Sequence, residues 1–272
     1  MRCDTVSLGG REARRERLPV VAVEGVGPYV LLRLGRGGLE PGSPGQFFML
    51  EAPGRILPRP MSLCQAPRDE LAFLLDAVGP GTRALCALRP GDAIHALGPL
   101  GNGFDLDVAR PLLVAGGIGI APMPYLSEML GGARALLGFR SDRHAEAARL
   151  FPDAEVVVDP RFVTELLPDD PGDVLACGPE QMLEAVRELV PDAQLAWEAP
   201  MACGYGACYG CVVEQNGRYL RLCLDGPVLR GGTLGSPTDP LLHRNSRNSP
   251  ASAPAGLSPA PPTDGPVLER RS

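Results

Sequence analysis

The sequence predicts an α+β multidomain protein in three parts: an antiparallel β-barrel, an α/β domain with a parallel sheet, and a small cysteine-rich module on the C-terminal side. Two features predict this division. Short apolar segments separated by glycine and proline give way near residue 110 to apolar strands that alternate with helices. Four of the eight cysteines then fall within residues 201–223. The predicted boundaries are an N-terminal tail at 1–15, the barrel at 16–107, the α/β domain at 108–192, the cysteine module at 193–232 and a Pro/Ser-rich, disordered tail at 233–272.

Six short segments of β character make up the predicted barrel, between residues 18 and 107. They are VVAVEGV, YVLLRL, QFFMLEA, RPMSLCQA, LAFLLDAV and DAIHALGPLG. Short strands with Gly/Pro turns are typical of antiparallel barrels and sandwiches. One helix is predicted between the last two segments, at GTRALCAL.

The α/β domain begins with RPLLVAGGIGIAPMPYLSEML, which reads as an apolar strand, a glycine turn and a helix. Further strands are predicted at ARALLGFR, AEVVVDP and GDVLACGP, and the helix EQMLEAVREL follows the last of them. Buried apolar strands that alternate with helices indicate a parallel sheet.

Charge and composition exclude some functions. The formal net charge is -6 and the pI is near 5.2, which argues against nucleic acid as a main partner because phosphate binding leaves a basic footprint. The N-terminal residues have no apolar run followed by a cleavage site, and no 18-residue apolar stretch is present. We therefore expect a cytoplasmic protein without membrane contact, whose thiols stay reduced.

The cysteine module has the spacing of a plant-type 2Fe-2S site. Cys203, Cys208 and Cys211 follow the pattern C-x4-C-x2-C, and Cys223 follows after eleven intervening residues. Glycine and alanine between them let the loop wrap closely and turn backbone N–H groups toward sulfur. The alternative is a structural zinc site, which also takes four cysteines but usually from two separated knuckles.

The remaining cysteines are scattered. We expect Cys64 and Cys86 to be small buried hydrophobic residues.

The segment GGIGIAP, residues 116–122, follows a predicted strand and opens a helix. Its backbone amides could receive a pyrophosphate. Proline replaces the third glycine of the dinucleotide fingerprint, so tight packing is an equally open explanation of this turn when it is taken alone.

Three motifs together resemble the ferredoxin reductase superfamily over roughly residues 15–192. They are RPMS at 59–62, GGIGIAP at 116–122 and CGP at 177–179. In addition, MACGYGACYGC, CLDGPV and GPLGNGF (98–104) resemble the electron-transfer subunits of class 1B dihydroorotate dehydrogenases. The resemblance implies a flavin-binding barrel, a nicotinamide-binding α/β domain and a C-terminal 2Fe-2S module.

The resemblance also implies the cofactors and the residues that bind them: one FAD and one 2Fe-2S cluster per subunit, with NAD as the electron acceptor. Arg59 would pair with an FAD phosphate, and Ser62 would reach the flavin edge. No residue is assigned a catalytic role with certainty. The implied cofactor-binding residues are Arg59, Pro60, Met61, Ser62, Gly81, Thr82, Gly117, Gly119, Cys177, Gly178 and Pro179, and the implied cluster ligands are Cys203, Cys208, Cys211 and Cys223.

The implied activity is electron transfer in de novo pyrimidine (UMP) biosynthesis. A separate catalytic subunit would oxidise dihydroorotate on its FMN and pass single electrons to the cluster, then to FAD and then to NAD. The implied assembly is a heterotetramer of two plus two subunits. Tyr205 and Tyr209 are expected either to face that partner or to shield the cluster, and Asp159 either to disfavour a phosphorylated ribose or to end a strand.

Two other functions stay open at this point. One is a flavin and iron-sulfur NAD(P)H reductase subunit of another complex, of the sulfhydrogenase or transhydrogenase type. The other is a zinc-stabilised binding module without enzymatic activity, which would leave the RPMS, GGIGIAP and CGP motifs unexplained.

Overall fold

The computed structural model describes residues 5–8, 11–215 and 218–233. The predicted Pro/Ser-rich tail and most of the first ten residues lie outside this range. The strands are β1 (Thr5–Leu8), β2 (Arg11–Val26), β3 (Tyr29–Gly35), β4 (Phe47–Leu50), β5 (Arg59–Ser62), β6 (Glu70–Leu75), β7 (Ala93–Leu100), β8 (Pro111–Gly116), β9 (Arg134–Phe139), β10 (Glu155–Val158), β11 (Asp173–Cys177), β12 (Gln194–Ala196), β13 (Val212–Gln215), β14 (Arg218–Arg221) and β15 (Val228–Arg230). The α-helices are α1 (Pro80–Cys86), α2 (Met123–Met129), α3 (Asp142–Ala145) and α4 (Glu180–Leu189).

The first seven strands form a curled antiparallel sheet. Its order is β5-β4-β7-β2-β3-β6, with β1 paired to β2. The segment after β5 returns to β6, because the Cys64 amide donates to the Ala72 carbonyl at 2.8 Å and the Ala72 amide donates to the Gln65 carbonyl at 2.9 Å. These bonds close the sheet, which confirms the predicted antiparallel barrel.

The second sheet has the order β10-β9-β8-β11-β12-β15. Its first five strands are parallel and β15 is antiparallel to β12. The strand order reverses at β8, so the loops after β8 and β11 diverge and leave a crevice at the carboxyl ends of the strands. The parallel sheet was predicted, and it places GGIGIAP and CGP at the same crevice.

Helices α1 and α4 form where the sequence predicted them, but the first long strand starts earlier than expected. β2 begins at Arg11, whereas β structure was expected only from residue 18. Charged side chains concealed this stretch of the strand, because its buried residues Ala13 and Leu18 are five positions apart and belong to two different apolar clusters. The sequence therefore shows no apolar alternation there. This part of β2 pairs with β7 from Arg14 opposite Gly98 onward.

The residues that flank the cysteine loop belong to the second sheet. β12 and β15 pair from Gln194 opposite Arg230 to Ala196 opposite Val228. The loop between them carries the hairpin β13–β14. The cysteine module is therefore attached to the edge of the parallel sheet at both of its ends.

An apolar core joins the two sheets. Val26, Tyr29 and Leu31 of the barrel lie in one buried cluster with Leu113 and Leu137 of the parallel sheet. The Tyr125 hydroxyl also donates to the Gly42 carbonyl at 2.8 Å across this boundary. These contacts fix the barrel against the carboxyl ends of the parallel strands.

Among the residues that the structure describes, no helix has the length and apolar character needed to span a membrane.

A buried amide side chain ties the segment before the parallel sheet to β12. Gln194 is 4% exposed, its Oε1 accepts from the Asp105 amide at 2.7 Å, and its Nε2 donates to the Asp105 carbonyl at 2.9 Å. We predict that Gln194→Leu lowers the free energy of unfolding by about 2–4 kcal/mol, because two backbone groups lose their partner. Urea unfolding checks this. The matched change at exposed Gln181 should stay within about 0.5 kcal/mol, and equal effects at both positions would contradict the assignment.

Candidate functional site

The four clustered cysteines form two pairs. The thiol of Cys203 hydrogen bonds to Cys208, and the thiol of Cys211 hydrogen bonds to Cys223. Glycine makes the tight wrap of the loop possible, since Gly204 and Gly206 have φ values of 79° and 82°. The structure therefore places the predicted ligand residues in two pairs, Cys203 with Cys208 and Cys211 with Cys223.

Backbone amides point at the sulfur atoms of this loop. The Gly206 amide donates to Cys223 Sγ at 3.1 Å, the Gly210 amide to Cys208 Sγ at 3.4 Å, and the Cys223 amide to Cys211 Sγ at 3.5 Å. Such donors stabilise negative charge on sulfur. The hydrogen bonds from the Gly210 and Cys203 backbone lower the pKa of the exposed Cys208 to about 7.

The second pair lies deeper in the protein than the first. Cys211 and Cys223 are 2% and 1% exposed. Burial, followed by the hydrogen bond that its own thiol donates to Cys211, raises the pKa of Cys223 to about 12. One pair therefore sits against the protein interior while Cys208 of the other pair reaches the surface.

This donor set fits a 2Fe-2S cluster. Three of the four thiols come from one loop, and backbone amides donate to the sulfur atoms of Cys208, Cys211 and Cys223. A 2Fe-2S cluster takes four thiolates, two on each iron. A structural zinc site also takes four donors.

The deeper pair packs on the barrel. Cys211 and Cys223 share a buried cluster with Phe47 and Met49 of β4 and with Leu100 of β7. A Cβ at Gly204 would lie 2.5 Å from Met49 Cγ, so only glycine allows this approach. The cysteine loop is thereby seated beside the strand pair β4–β5.

The RPMS strand contacts the first turn of α1, which contains Gly81 and Thr82. Arg59–Ser62 form β5, and all four residues are half-buried. A Cβ at Gly81 would lie 2.2 Å from Arg59 Nε, so the guanidinium occupies the space that glycine leaves open. Arg59 Nη1 donates to the carbonyls of Leu57 and Pro58 at 3.1 Å, which holds it at the start of α1. A fixed guanidinium beside a backbone turn fits a phosphate ligand.

Thr82 has a structural role in this turn. Its hydroxyl bonds the amide and the carbonyl of Gly79, at 3.0 and 3.2 Å. The side chain is buried and closes the first turn of α1. The Thr82 hydroxyl is therefore engaged within the turn, and the role of Thr82 in cofactor binding stays a prediction.

The crevice of the second sheet is a cleft of about 640 Å³. Of the predicted nucleotide residues, Gly117 and Pro179 line it. Gly119 does not line the cleft, and a Cβ added to it would lie 2.2 Å from the Cys177 carbonyl oxygen. A Cβ added to Gly178 would lie 3.0 Å from the Gly116 amide nitrogen. GGIGIAP and CGP are thus packed backbone to backbone, as both the nucleotide and the packing explanations require.

Sequence reasoning missed most of the other residues of this cleft. Tyr29 and Asp76 come from the barrel, and Arg140, His144 and Phe162 come from the α/β domain. They carry no motif, because they reach the cleft only through the packing of two separately folded sheets. The lone signal was Asp159, which lines the cleft at the end of β10.

The predicted scattered cysteines behave as expected where the structure describes them. Cys64 is fully buried, and burial raises its pKa to about 12. Cys86 is half-buried and packs on the barrel core. The expectation of burial is confirmed for Cys64, whereas Cys86 is only half-buried against the core.

A cleft of about 370 Å³ lies between the segment that precedes β5 and the cysteine loop. Ile56, Leu57 and Pro58, which precede the RPMS strand, line it together with Cys203 and Tyr205. Ile56 is 99% exposed and Tyr205 is 39% exposed. The segment that leads into β5 therefore faces the outer cysteine pair across open space.

Known proteins share this fold. A chain of an NADH-dependent reduced ferredoxin-NADP oxidoreductase aligns with a TM-score of 0.69 at 22% identity, over 80% of this chain and 89% of the other. Phthalate dioxygenase reductase aligns with a TM-score of 0.56 at 18% identity, over 74% of this chain and 87% of the other. The fold is that of the ferredoxin reductases, with a cysteine module added at its C-terminal side.

Sequence comparison narrows the assignment. The family model for the iron-sulfur cluster binding domain of dihydroorotate dehydrogenase B matches residues 198–235. The dihydroorotate dehydrogenase B (NAD(+)) electron transfer subunits of Clostridium perfringens and Listeria monocytogenes are each 38% identical to this chain, over 69% of it and 85% of the relative. That of a Geobacillus strain is 36% identical, over 76% of this chain and 92% of the relative. The chain belongs to the family of dihydroorotate dehydrogenase B electron transfer subunits.

The contact between Gly81 and Arg59 gives a test of the barrel site. We predict that Gly81→Val displaces the guanidinium and weakens FAD binding about tenfold or more, since a charge-assisted contact contributes about 1.5–3 kcal/mol. Fluorescence titration of released FAD measures this. Gly79→Ala is the matched control, because a Cβ at Gly79 meets nothing within 4 Å. FAD affinity that is equal in both variants would contradict this placement of the phosphate.

Proposed function

We propose that this chain is the electron-transfer subunit of a dihydroorotate dehydrogenase, which relays electrons from the FMN of a catalytic subunit to NAD+ in de novo pyrimidine (UMP) biosynthesis. When bound, the cluster carries single electrons, and FAD collects two of them and reduces NAD+ by hydride transfer. Family membership and the cluster-domain match support this function. The single structural observation that carries it is the seating of two thiol pairs against the barrel, beside the RPMS strand.

Each group of residues has a defined task in this proposal. Cys203, Cys208, Cys211 and Cys223 hold the cluster as thiolates, supported by backbone amides. β5 and the Gly81 turn hold the FAD phosphates. The cleft beside Gly117 and Pro179 receives the nicotinamide nucleotide. The apolar core that joins the two sheets fixes the distance between this cleft and the barrel.

The partner is the finer part of the proposal. The relatives are named as electron transfer subunits, which implies a catalytic subunit, and we propose a heterotetramer of two plus two. The exposed Cys208, with Tyr205 and Tyr209 at 39% and 64% exposure, offers the surface that such a subunit would meet. The cytoplasmic location and the domain limits 16–107, 108–192 and 193–232 also belong to this proposal.

The cluster loop gives the decisive test. We predict that Cys208→Ala removes the cluster but leaves FAD in place, because the residue lies in the loop and not in the barrel. In the complex with the catalytic subunit, dihydroorotate-dependent reduction of NAD+ should fall at least 100-fold, an effect of about 2.7 kcal/mol or more. Reduction of ferricyanide by NADH, which needs only the flavin, should persist.

Cys86→Ala, on α1, is the matched cysteine control and should keep both activities. Iron, zinc and flavin contents and the electron paramagnetic resonance spectrum are measured on each protein. About one zinc per chain without flavin would overturn the proposal in favour of a binding module. Flavin and iron that are reduced by NADH, but no transfer with the dihydroorotate-oxidising partner, would indicate the reductase subunit of another complex.

Asp159 gives a prediction about the nucleotide. Its carboxylate lies in the cleft at the end of β10, where a 2′-phosphate would meet a like charge. We predict that Asp159→Asn raises kcat/KM for NADPH relative to NADH by about tenfold, equivalent to about 1.4 kcal/mol. Steady-state reduction of ferricyanide with each nucleotide measures the ratio. An unchanged ratio would leave Asp159 with the role of ending a strand.

A further inference from the structure

One cation contacts the cysteine loop at two separate points. Arg221 is the last residue of β14 and lies two residues before Cys223. Its Nη1 donates to the Gly206 carbonyl at 3.2 Å, and its guanidinium carbon lies 5.1 Å from the centroid of the Tyr209 ring. A guanidinium at this distance from an aromatic face forms a cation–π contact.

Both contacted residues hold an unusual backbone conformation that the loop requires. Gly206 has φ 82°, and Tyr209 has φ 58°, the one non-glycine residue with positive φ in the described ranges. A tyrosine in the left-handed region is strained, because its Cβ crowds the following carbonyl. Gly206 donates to Cys223 Sγ, and Tyr209 stands between Cys208 and the Gly210 amide that donates to Cys208 Sγ. Arg221 therefore contacts the loop beside two N–H···S bonds, one to Cys223 and one to Cys208.

Arg221 is itself held firmly. Its amide donates to Asp225 Oδ2 at 2.7 Å, and its carbonyl accepts from the amides of Leu224 and Asp225 at 2.9 and 2.8 Å. This turn encloses Cys223. Asp225 thus binds the backbone of Arg221, and no carboxylate in residues 11–215 or 218–233 forms an ion pair with the guanidinium. The positive charge beside the loop is left without a compensating anion.

We propose that Arg221 is a positioning residue for the cluster, which braces the loop and raises the reduction potential through its permanent charge. One-electron reduction adds one negative charge to the cluster, so a fixed neighbouring cation stabilises the reduced state more than the oxidised state. Arginine keeps this charge at every pH at which the protein is folded. The inference rests on the proposed cluster site.

The test is a dithionite titration of the full-length protein, followed by the electron paramagnetic resonance signal of the reduced cluster. For Arg221→Gln, we expect the ratio of reduced to oxidised cluster at the wild-type midpoint to fall about tenfold, which is about 59 mV for a one-electron couple. Arg221→Lys, which keeps the charge, should stay near the wild-type midpoint. Arg230→Gln is the matched control: it removes an arginine from the same C-terminal segment, but one whose partner is Asp105 at 2.9 Å.

If Arg221→Gln binds less iron than the wild type, the electron paramagnetic resonance signal still reports the midpoint of the fraction that holds a cluster. An unchanged midpoint in Arg221→Gln would overturn the inference. So would a midpoint in Arg221→Lys that falls as far as that of Arg221→Gln. Wild-type protein without iron would instead overturn the proposed function, so the two failures are distinguishable.

Discussion

The relative position of the cysteine loop and the RPMS strand depends on the contact between this loop and the barrel. Cys211 and Cys223 are buried against Phe47, Met49 and Leu100, so the loop cannot move without exposing apolar surface to water. Gly204 approaches Met49 too closely for any other residue. Because the same strand pair includes RPMS, one apolar contact sets the separation between the proposed metal site and the proposed flavin site. That separation would govern electron transfer between the two cofactors.

A second contact sets the position of the nucleotide. The apolar core that joins the two sheets holds Tyr29 of the barrel against the α/β domain. There the rings of Tyr29 and His144 pack edge to face, with their centroids 5.7 Å apart. Burial, with Asp76 as the next cause, raises the pKa of Tyr29 to about 12, so its hydroxyl remains neutral in the cleft. The barrel therefore supplies part of the wall of the cleft proposed for the nucleotide, in addition to the proposed flavin site.

The sequence predicted the parts of the molecule that local patterns encode. Strand spacing and apolar runs identified both sheets, and α4 was predicted at its observed limits. The cysteine spacing identified a loop that proves to hold two thiol pairs. The charged half of β2 was missed because its two buried residues, Ala13 and Leu18, are five positions apart and give no alternating apolar pattern. Asp76 and His144 were missed because only packing between separately folded sheets brings them to the cleft.

Thr82 and Gly119 show a further limit of motifs. Both were predicted to bind a cofactor, and in the structure the Thr82 hydroxyl bonds its own turn and Gly119 lies close to the Cys177 carbonyl. A motif records which residues a site requires. It does not record whether a residue touches the ligand or supports one that does, since both uses leave the same letters in the sequence.

The pairing of β12 with β15 makes residues 197–227 a closed excursion from the sheet edge. The two strands pair from Gln194 opposite Arg230 to Ala196 opposite Val228, so the two ends of the excursion lie side by side. A segment whose ends adjoin can be inserted into a fold without moving the strands that flank it. The cysteine module is in this sense an insertion whose ends are held by the parallel sheet, while its apolar side packs on the barrel.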